Sequence, residues 1–158
     1  MKNLIKPLLF LLLFQFTNLS AQDLVQKKPE KNIPFIVQQS FEAKFPNNDP
    51  IWFSQYQGRY NEQLVYEGRF IFDNRYSSAI YDRDGQLIAF AATIEASEIP
   101  EKAIEYMKKN YTNRSITEAI MVTRAKDETT IELGIYIDNQ MRIIVFDKKG
   151  EFIKSTRG

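Results

Sequence analysis

The feature that most constrains this chain is a pattern that occurs twice. Ile33-Pro34 opens a helical stretch that ends near Phe45, and Ile99-Pro100 opens another that ends near Tyr111. Residues 66–74 (YEGRFIFDN) then reappear as residues 131–139 (IELGIYIDN). Repetition at this spacing is typical of chains that fold as similar units packed side by side. We therefore expect two repeat units, residues 33–94 and 99–156.

Each unit predicts one helix followed by a four-stranded antiparallel meander. Val37, Phe41 and Phe45 recur at helical spacing, after which the chain becomes rich in aromatic and β-branched residues. Asp73-Asn74 and Asp138-Asn139 are short hairpin signals. The predicted strands are 51–57, 63–72, 76–81 and 86–93 in the first unit, and 115–124, 129–138, 141–146 and 151–154 in the second. The fold class is therefore α+β, with both helices expected on one face of the sheet.

The first residues predict export from the cytoplasm. Lys2 and Lys6 flank the start of an apolar run at 7–16, and Leu19-Ser20-Ala21 is a small-residue cleavage site. The run is too short to span a bilayer, which takes about 20 residues. We expect a signal peptide at 1–21, cleavage after Ala21, a flexible leader at 22–32 and a periplasmic or secreted protein without a membrane anchor.

Composition excludes several classes of function. The net charge is +1, so the chain lacks the basic surface that nucleic acid requires. It has no His and no Cys, which excludes His-based catalysis, thiolate nucleophiles and the usual zinc sites. Asp82-Arg83-Asp84-Gly85 is too short for a calcium loop and predicts a hairpin turn. We expect no catalytic residues, no metal, no cofactor and no enzymatic activity.

The aromatic residues suggest a binding surface. The chain contains 12 Phe, 8 Tyr and 1 Trp, more than a small core requires. Aromatic residues mixed with arginine are typical of protein interfaces. We assign seven residues to the sheet face opposite the helices and predict that they bind a partner: Glu67, Arg69, Ile71, Tyr81, Tyr136, Arg142 and Phe146. The alternative is that a second layer, a dimer or strand twist buries them.

The chain resembles the PepSY-like, beta-lactamase-inhibitor-like family of exported bacterial proteins. The matching features are Ile-Pro before each helix, Phe45-Pro46, Trp52, and the Asp-x-x-Gly turns at 82–85 and 147–150. The resemblance covers residues 33–158 and implies tandem units whose sheets join into one continuous curved sheet. The namesake inhibitor clasps an enzyme with its concave face, and PepSY modules are thought to restrain peptidases. The second unit departs from the pattern with Tyr111-Thr112 and Thr117-Glu118.

These observations favour a non-enzymatic module that binds an unidentified protein or peptide through its uncovered sheet face. Inhibition of a secreted hydrolase is the sharpest form of this hypothesis. Two alternatives stay open: a carrier of small molecules or lipids that uses the curved sheet as a cup, and a structural module that associates with itself. An enzyme of unfamiliar type is disfavoured.

Overall fold

In this computed structural model, which describes residues 29–57, 63–125 and 128–158, a helix and four strands follow one another twice. The elements are α1 (Phe35–Lys44), β1 (Ile51–Gln57), β2 (Gln63–Phe72), β3 (Arg75–Asp82), β4 (Leu87–Thr93), α2 (Glu101–Asn110), β5 (Glu118–Arg124), β6 (Thr129–Ile137), β7 (Gln140–Asp147) and β8 (Phe152–Arg157). A short 3-10 turn, Ala96–Glu98, precedes α2. The predicted signal peptide and most of the predicted leader lie outside the described residues.

The eight strands form one antiparallel sheet in the order β1 to β8, so each strand pairs with its neighbour in the chain. Two-residue turns at Asp73-Asn74 and Asp138-Asn139 have positive φ angles (48° and 60°, 50° and 62°). These angles are those of the type I′ turn, whose twist matches that of the strands it joins. The α+β class is confirmed, and the open sheet fits the predicted curved one.

Each helix begins directly after its proline. The carbonyls of Pro34 and Pro100 accept hydrogen bonds from the amides three and four residues later, and proline loses nothing there by lacking its own N–H. At the other end, Asn47 and Asn113 adopt left-handed φ angles of 62° and 65° and turn the chain away from the helix. The two helices thus start and stop by the same local chemistry.

Both helices pack on the same face of the sheet. The α1 core includes Phe41, Phe45, Phe70 and Tyr81 and is largely aromatic. The α2 core is mostly aliphatic: Ile99, Ala103, Met107, Ile131, Leu133, Ile135, Ile144 and Phe146. The strand register shows that the two cores lie on one face. Ala92 is two residues from Phe90 of the first core, so both point to the same face, and Ala92 pairs directly with Met121 of the second core.

The two Asp-x-x-Gly turns attach the helices to the sheet. Asp82 Oδ1 accepts hydrogen bonds from the amides of Asp84 and Gln86, so its carboxylate is used within its own turn. Gly85 has φ 79°, and a Cβ there would lie 2.9 Å from the carbonyl oxygen of Ile36 in α1. Gly150 repeats this arrangement with φ 85° against Pro100 at the start of α2. The turns therefore need glycine because each is pressed against a helix.

The end of the predicted leader is tied to the sheet edge. The Glu30 amide donates to the carbonyl of Trp52 in β1 over 2.7 Å, and Ser54 Oγ donates to Glu30 Oε2 over 3.0 Å. The Glu30 carboxylate also accepts the amides of Lys31 and Asn32, and these hydrogen bonds lower its pKa. These hydrogen bonds place Glu30 beside the edge strand β1, whose outer edge it partly covers.

Candidate functional site

The candidate site lies on the sheet face opposite the helices, which we call the helix-free face. In the described parts of the chain, both helices pack on the other side. The middle of the helix-free face is closed by a third apolar cluster: Val65, Ile80, Ala89, Ala91, Ile120 and Val122. These side chains fill the space that the predicted carrier would use as a cup, so the packing does not favour that alternative.

One end of the helix-free face carries exposed apolar side chains, which we call the exposed row. It consists of Ile51 (57 % exposed), Ile71 (52 %), Tyr76 (56 %) and Tyr136 (48 %). Ile71 and Tyr76 face each other next to the β2–β3 turn, and Tyr136 lies next to the β6–β7 turn. β2 and β6 run in the same direction in an antiparallel sheet, so both turns lie at the same end. Ile71 and Tyr136 are four strand spacings apart, roughly 19 Å across the sheet. The register places Glu132 level with Ile71, so Tyr136 also lies four residues further along its strand and the exposed row runs diagonally.

A buried ion pair lies beside the exposed row in the first unit. Arg69 donates to Glu67 through Nε to Oε1 over 2.9 Å and through Nη2 to Oε2 over 3.0 Å. The Glu67 side chain is fully buried, whereas that of Arg69 is 23 % exposed. The guanidinium also lies 4.4 Å from the ring centre of Phe53. This bidentate, stacked geometry neutralises the buried carboxylate and fixes the arginine.

The second unit has a different charge arrangement at the matching place. Glu132 is also buried, but its cation comes from the adjacent strand, with Arg124 Nη2 donating to Glu132 Oε1 over 3.0 Å. Arg124 Nη1 donates to Thr130 Oγ1 over 2.8 Å. Each unit thus neutralises its buried carboxylate with an arginine. The arginine comes from the same strand in the first unit and from the adjacent strand in the second.

Glu118 is a second carboxylate on the helix-free face of this unit. It pairs across the strands with Gly134, one row from Glu132. Burial, together with the smaller effect of the nearby Glu132 charge, raises the pKa of Glu118 to about 7. In the part of the chain that the structure describes, the side-chain carboxylate of Glu118 makes no hydrogen bond and no ion pair. It is therefore a partly buried acid without a cation.

Four of the seven predicted site residues lie on the helix-free face: Glu67, Arg69, Ile71 and Tyr136. The predicted face is wrong for Tyr81, Arg142 and Phe146, which lie on the helix side. A two-residue turn pairs odd positions with even ones, so Tyr81 faces Tyr66, and Phe146 faces Ile131. Arg142 likewise faces the core residue Ile135. The prediction placed residues of the same parity, odd or even, on one face in both strands of a hairpin, which a two-residue turn does not allow.

The structure gives Tyr81 and Phe146 roles in the cores. Tyr81 is 1 % exposed, and burial raises the pKa of its hydroxyl to about 12. That hydroxyl has no hydrogen-bond partner among the described residues. Phe146 packs edge-on against Tyr106 of α2, with 5.5 Å between ring centres. These two residues stabilise the fold and are removed from the predicted binding surface.

Sequence reasoning missed Ile51, Tyr76 and Glu118. The correct parity rule for a two-residue turn identifies Tyr76, because it must face Ile71. The exposure of Ile51 could be predicted from its position, because it begins an edge strand and faces Arg69. For Glu118 the sequence holds no such signal, because its surroundings depend on how β5 pairs with β6.

The helix side carries a separate groove of about 460 Å³ at the end of α2. Its apolar lining is Ile104, Met107, Tyr111 and Ile116, and its polar rim includes Lys108 and Arg114. Within residues 29–57, 63–125 and 128–158, no group of three or more acidic side chains is placed to hold a metal ion. No helix in the same ranges is long and apolar enough to cross a membrane.

Three solved structures that share this fold come from Bacteroides species. A DUF2874 family protein from Bacteroides ovatus superposes with a TM-score of 0.67 at 17 % identity, over 81 % of this chain and 89 % of that chain. A protein from Bacteroides eggerthii whose name places it in the periplasm gives 0.66 at 12 %, over 80 % and 90 %. A BLIP-like protein from Bacteroides fragilis gives 0.62 at 11 %, over 81 % and 88 %.

No protein-family model matches this chain, and no curated protein does. The likeness to known proteins therefore rests on the fold, and it extends over most of the chain in each of these three structures. The predicted resemblance is confirmed at this level: the structural neighbours are DUF2874 family proteins and a BLIP-like protein.

Proposed function

We propose that this protein is a non-enzymatic periplasmic module that binds a protein or peptide through the exposed row of its helix-free face. The observation that supports this proposal is that four large apolar side chains remain exposed at one end of this face, near a buried Arg–Glu pair. Apolar and aromatic side chains close to arginine are typical of interface hot spots. The other side of the sheet is already occupied by both helices.

The fold likeness supports this proposal in two ways. One neighbour is BLIP-like, which favours inhibition of a secreted hydrolase as the form that binding takes. Another has a periplasmic name, which agrees with the signal peptide predicted at 1–21 and with cleavage after Ala21. Because fold does not determine function, the argument depends mainly on the exposed row itself.

We further infer that the two units are copies of one helix-plus-four-strand unit. The repeated order of elements and the matching prolines support this inference. So do the matching glutamates, Glu67 and Glu132, in the same place on β2 and β6. If the units share an origin, differences between them on the helix-free face are informative about binding.

The test is site-specific photocrosslinking in the exported protein. A photoreactive phenylalanine at position 71, 76 or 136 is expected to form one adduct with a partner in periplasmic extract. The same probe at Phe35 is the matched control, since Phe35 is 77 % exposed but lies on α1. Equal adducts at position 35, or none at the three row positions, would contradict the proposal.

Replacing Tyr76 and Tyr136 together by Ser gives the energetic test. Each hot-spot residue is expected to contribute more than about 1 kcal/mol to binding. The thermal midpoint should change little because both side chains are about half exposed. An adduct consisting only of two copies of this chain would instead favour the self-associating module, and sedimentation at micromolar concentration would identify it.

A further inference from the structure

We propose that the helix-free face recognises an arginine or lysine side chain of its partner through Glu118, in the notch above Gly134. The inference rests on the proposed function, because it names the chemistry of the partner that binds there. It follows from comparing the two units, because an arginine of the first unit, Arg69, corresponds to a glycine of the second, Gly134.

The first step is the equivalence of positions. Glu67 in β2 and Glu132 in β6 are buried glutamates on the same face of matching strands. Two residues later, the first unit has Arg69, which points along the helix-free face to Glu67. The second unit has Gly134 at that position. At the position from which the first unit extends its arginine, the second therefore has no side chain, and the guanidinium on Glu132 comes from Arg124 instead.

The second step is the carboxylate beside this notch. Arg69 pairs across the strands with Ile51, whereas Gly134 pairs with Glu118. A Cβ on Gly134 would lie 3.2 Å from Glu118 Cβ and 3.6 Å from its Oε2. The acid therefore lies directly against the bare glycine. The terminal methyl of Met141 lies 2.7 Å from the same point and covers the notch, so that Gly134 is buried. A partner's side chain would have to displace this methyl group, which ends a flexible chain.

The third step is the charge of the surroundings. On β6 and beyond, the groups near Glu118 are Glu132 and Tyr136, with Arg124 bound to Glu132 and Lys154 two strands from Glu132 on β8. On the other side, Thr93 of β4 pairs with Ile120, so the register brings the exposed Glu95 opposite Glu118. Arg124 and Lys154 each have further interactions, and neither is an ion-pair partner of Glu118. The apolar neighbours are Ile120, Met141 and Ile143. Among the described residues, the Glu118 carboxylate therefore has no cation as a partner, at a partly buried position between Tyr76 and Tyr136 of the exposed row.

A partner's guanidinium or ammonium placed here would restore the charge balance that Arg69 provides in the first unit. The methylene stem would take the place of the Met141 methyl group over Gly134, where no Cβ is present, and the head would donate to Glu118. Tyr136, two residues from the notch, would contact the adjoining part of the partner. A neutral or acidic side chain in the same place would leave the carboxylate desolvated and unpaired, which is unfavourable.

Binding of this kind depends on pH with a definite sign. A cation binds the ionised carboxylate, and burial holds the pKa of Glu118 at about 7 in the free protein. Affinity should therefore rise as pH increases from 6 to 8, because the ionised fraction rises about tenfold across that interval. Above pH 8 it should level off.

The experiment uses the peptide acetyl-Leu-Arg-Leu-amide, with acetyl-Leu-Gln-Leu-amide as the uncharged probe. NMR titration would follow the Glu118 side-chain carboxyl carbon and the Gly134 amide. The arginine peptide is expected to shift both signals and to bind about tenfold more tightly at pH 8 than at pH 6. The glutamine peptide should shift neither.

Two variants complete the test. Glu118→Gln keeps the shape and should remove both the binding and its pH dependence, while Glu105→Gln removes the same charge from the exposed surface of α2 and should change nothing. Gly134→Arg should block the peptide by filling the notch from within. Binding that is equal in Glu118→Gln, or that does not vary with pH, would overturn the inference.

The outcomes also separate this inference from the proposed function. If crosslinks at positions 71, 76 and 136 form normally while the arginine peptide fails to bind, the exposed row is the interface and the role given to Glu118 is wrong. If the row gives no crosslinks, the proposed function fails first.

Discussion

The two units share one backbone frame but fill it with different side chains. Each helix places its third and seventh residues in the core: Val37 and Phe41 in α1, Ala103 and Met107 in α2. Around Phe41 the neighbours are aromatic, with ring centres 4.8 Å away at Phe70 and 5.4 Å away at Trp52. Around Met107 they are mostly aliphatic. The comparison shows that the pattern of buried positions, rather than particular residues, determines this frame.

One cross-strand pair shows how volume is conserved between the units. In the first unit, the indole of Trp52 lies over Gly68 on the facing strand. In the second, the facing pair is Ala119 and Leu133, so the large residue has moved to the other strand. Core volume is kept approximately constant although both positions change, which is the kind of exchange that cores tolerate best.

The largest predicted effect tests the aromatic core. Phe41→Ala should lower the free energy of unfolding by about 3–5 kcal/mol, because it leaves a cavity among rings that cannot close over it. Met107→Ala at the equivalent position should cost about 1 kcal/mol less than this, because the aliphatic neighbours can move partly into the space that the side chain leaves. Urea denaturation of both variants is the measurement. Equal losses would show that the two cores are mechanically alike.

The next effect concerns the buried pair of the first unit. Arg69→Met leaves the Glu67 carboxylate buried without a cation and should cost roughly 3 kcal/mol. Adding Glu67→Gln removes the charge and should recover more than half of that loss. Thermal unfolding of the single and double variants would measure this. If the double variant is no more stable than Arg69→Met, charge burial is not the cause.

A smaller effect distinguishes the second unit by its pH dependence. The pKa of Glu118 is about 7 in the folded protein and 4.5 for an ordinary glutamate, so the folded state holds the proton more tightly. The free energy of unfolding should therefore fall as pH rises from about 4.5 to 7, by ~1–3 kcal/mol, and stay constant above. Glu118→Gln should abolish this fall, as pH-resolved urea denaturation would show. A fall of the same size in the variant would assign it to other groups.

The smallest effect is expected at a surface pair that the second unit has alone. Lys102 of α2 bonds to Glu151, whereas the equivalent helix position in the first unit is the exposed Ile36. Both partners in the ion pair are largely exposed, so water compensates for most of their attraction. Lys102→Met should leave the thermal midpoint within measurement error. A clear decrease would show that this pair helps to hold α2 on the sheet.

Most of the fold could be predicted from the sequence because local chemistry determines it. Proline before each helix, alternation in the strands and Asp-Asn in the turns placed every element within a few residues. The predicted start of β5 at 115 was too early, since residues 115–117 precede the strand that begins at Glu118. Thr117 nevertheless bonds to Gly134 beside it.

The candidate site was predicted only in part because it depends on pairing between strands. Ile71 and Tyr136 follow from alternation within one strand, which is a local property. Tyr81 and Phe146 were misplaced because their faces depend on the number of residues in the preceding turn. The isolation of Glu118 depends on register, burial and distant charges together, and none of these can be read from its neighbours in sequence.

The chain-order pairing of the strands has a consequence for how the protein folds. Seven pairings link neighbouring strands, and six of them close short connections, so little chain entropy is lost in forming each hairpin. The pairing of β4 with β5 differs, because it closes a longer loop, residues 94–117, which contains α2. We therefore expect the meanders on either side to form early and to join late, which makes the β4–β5 seam the slow step in assembling the sheet.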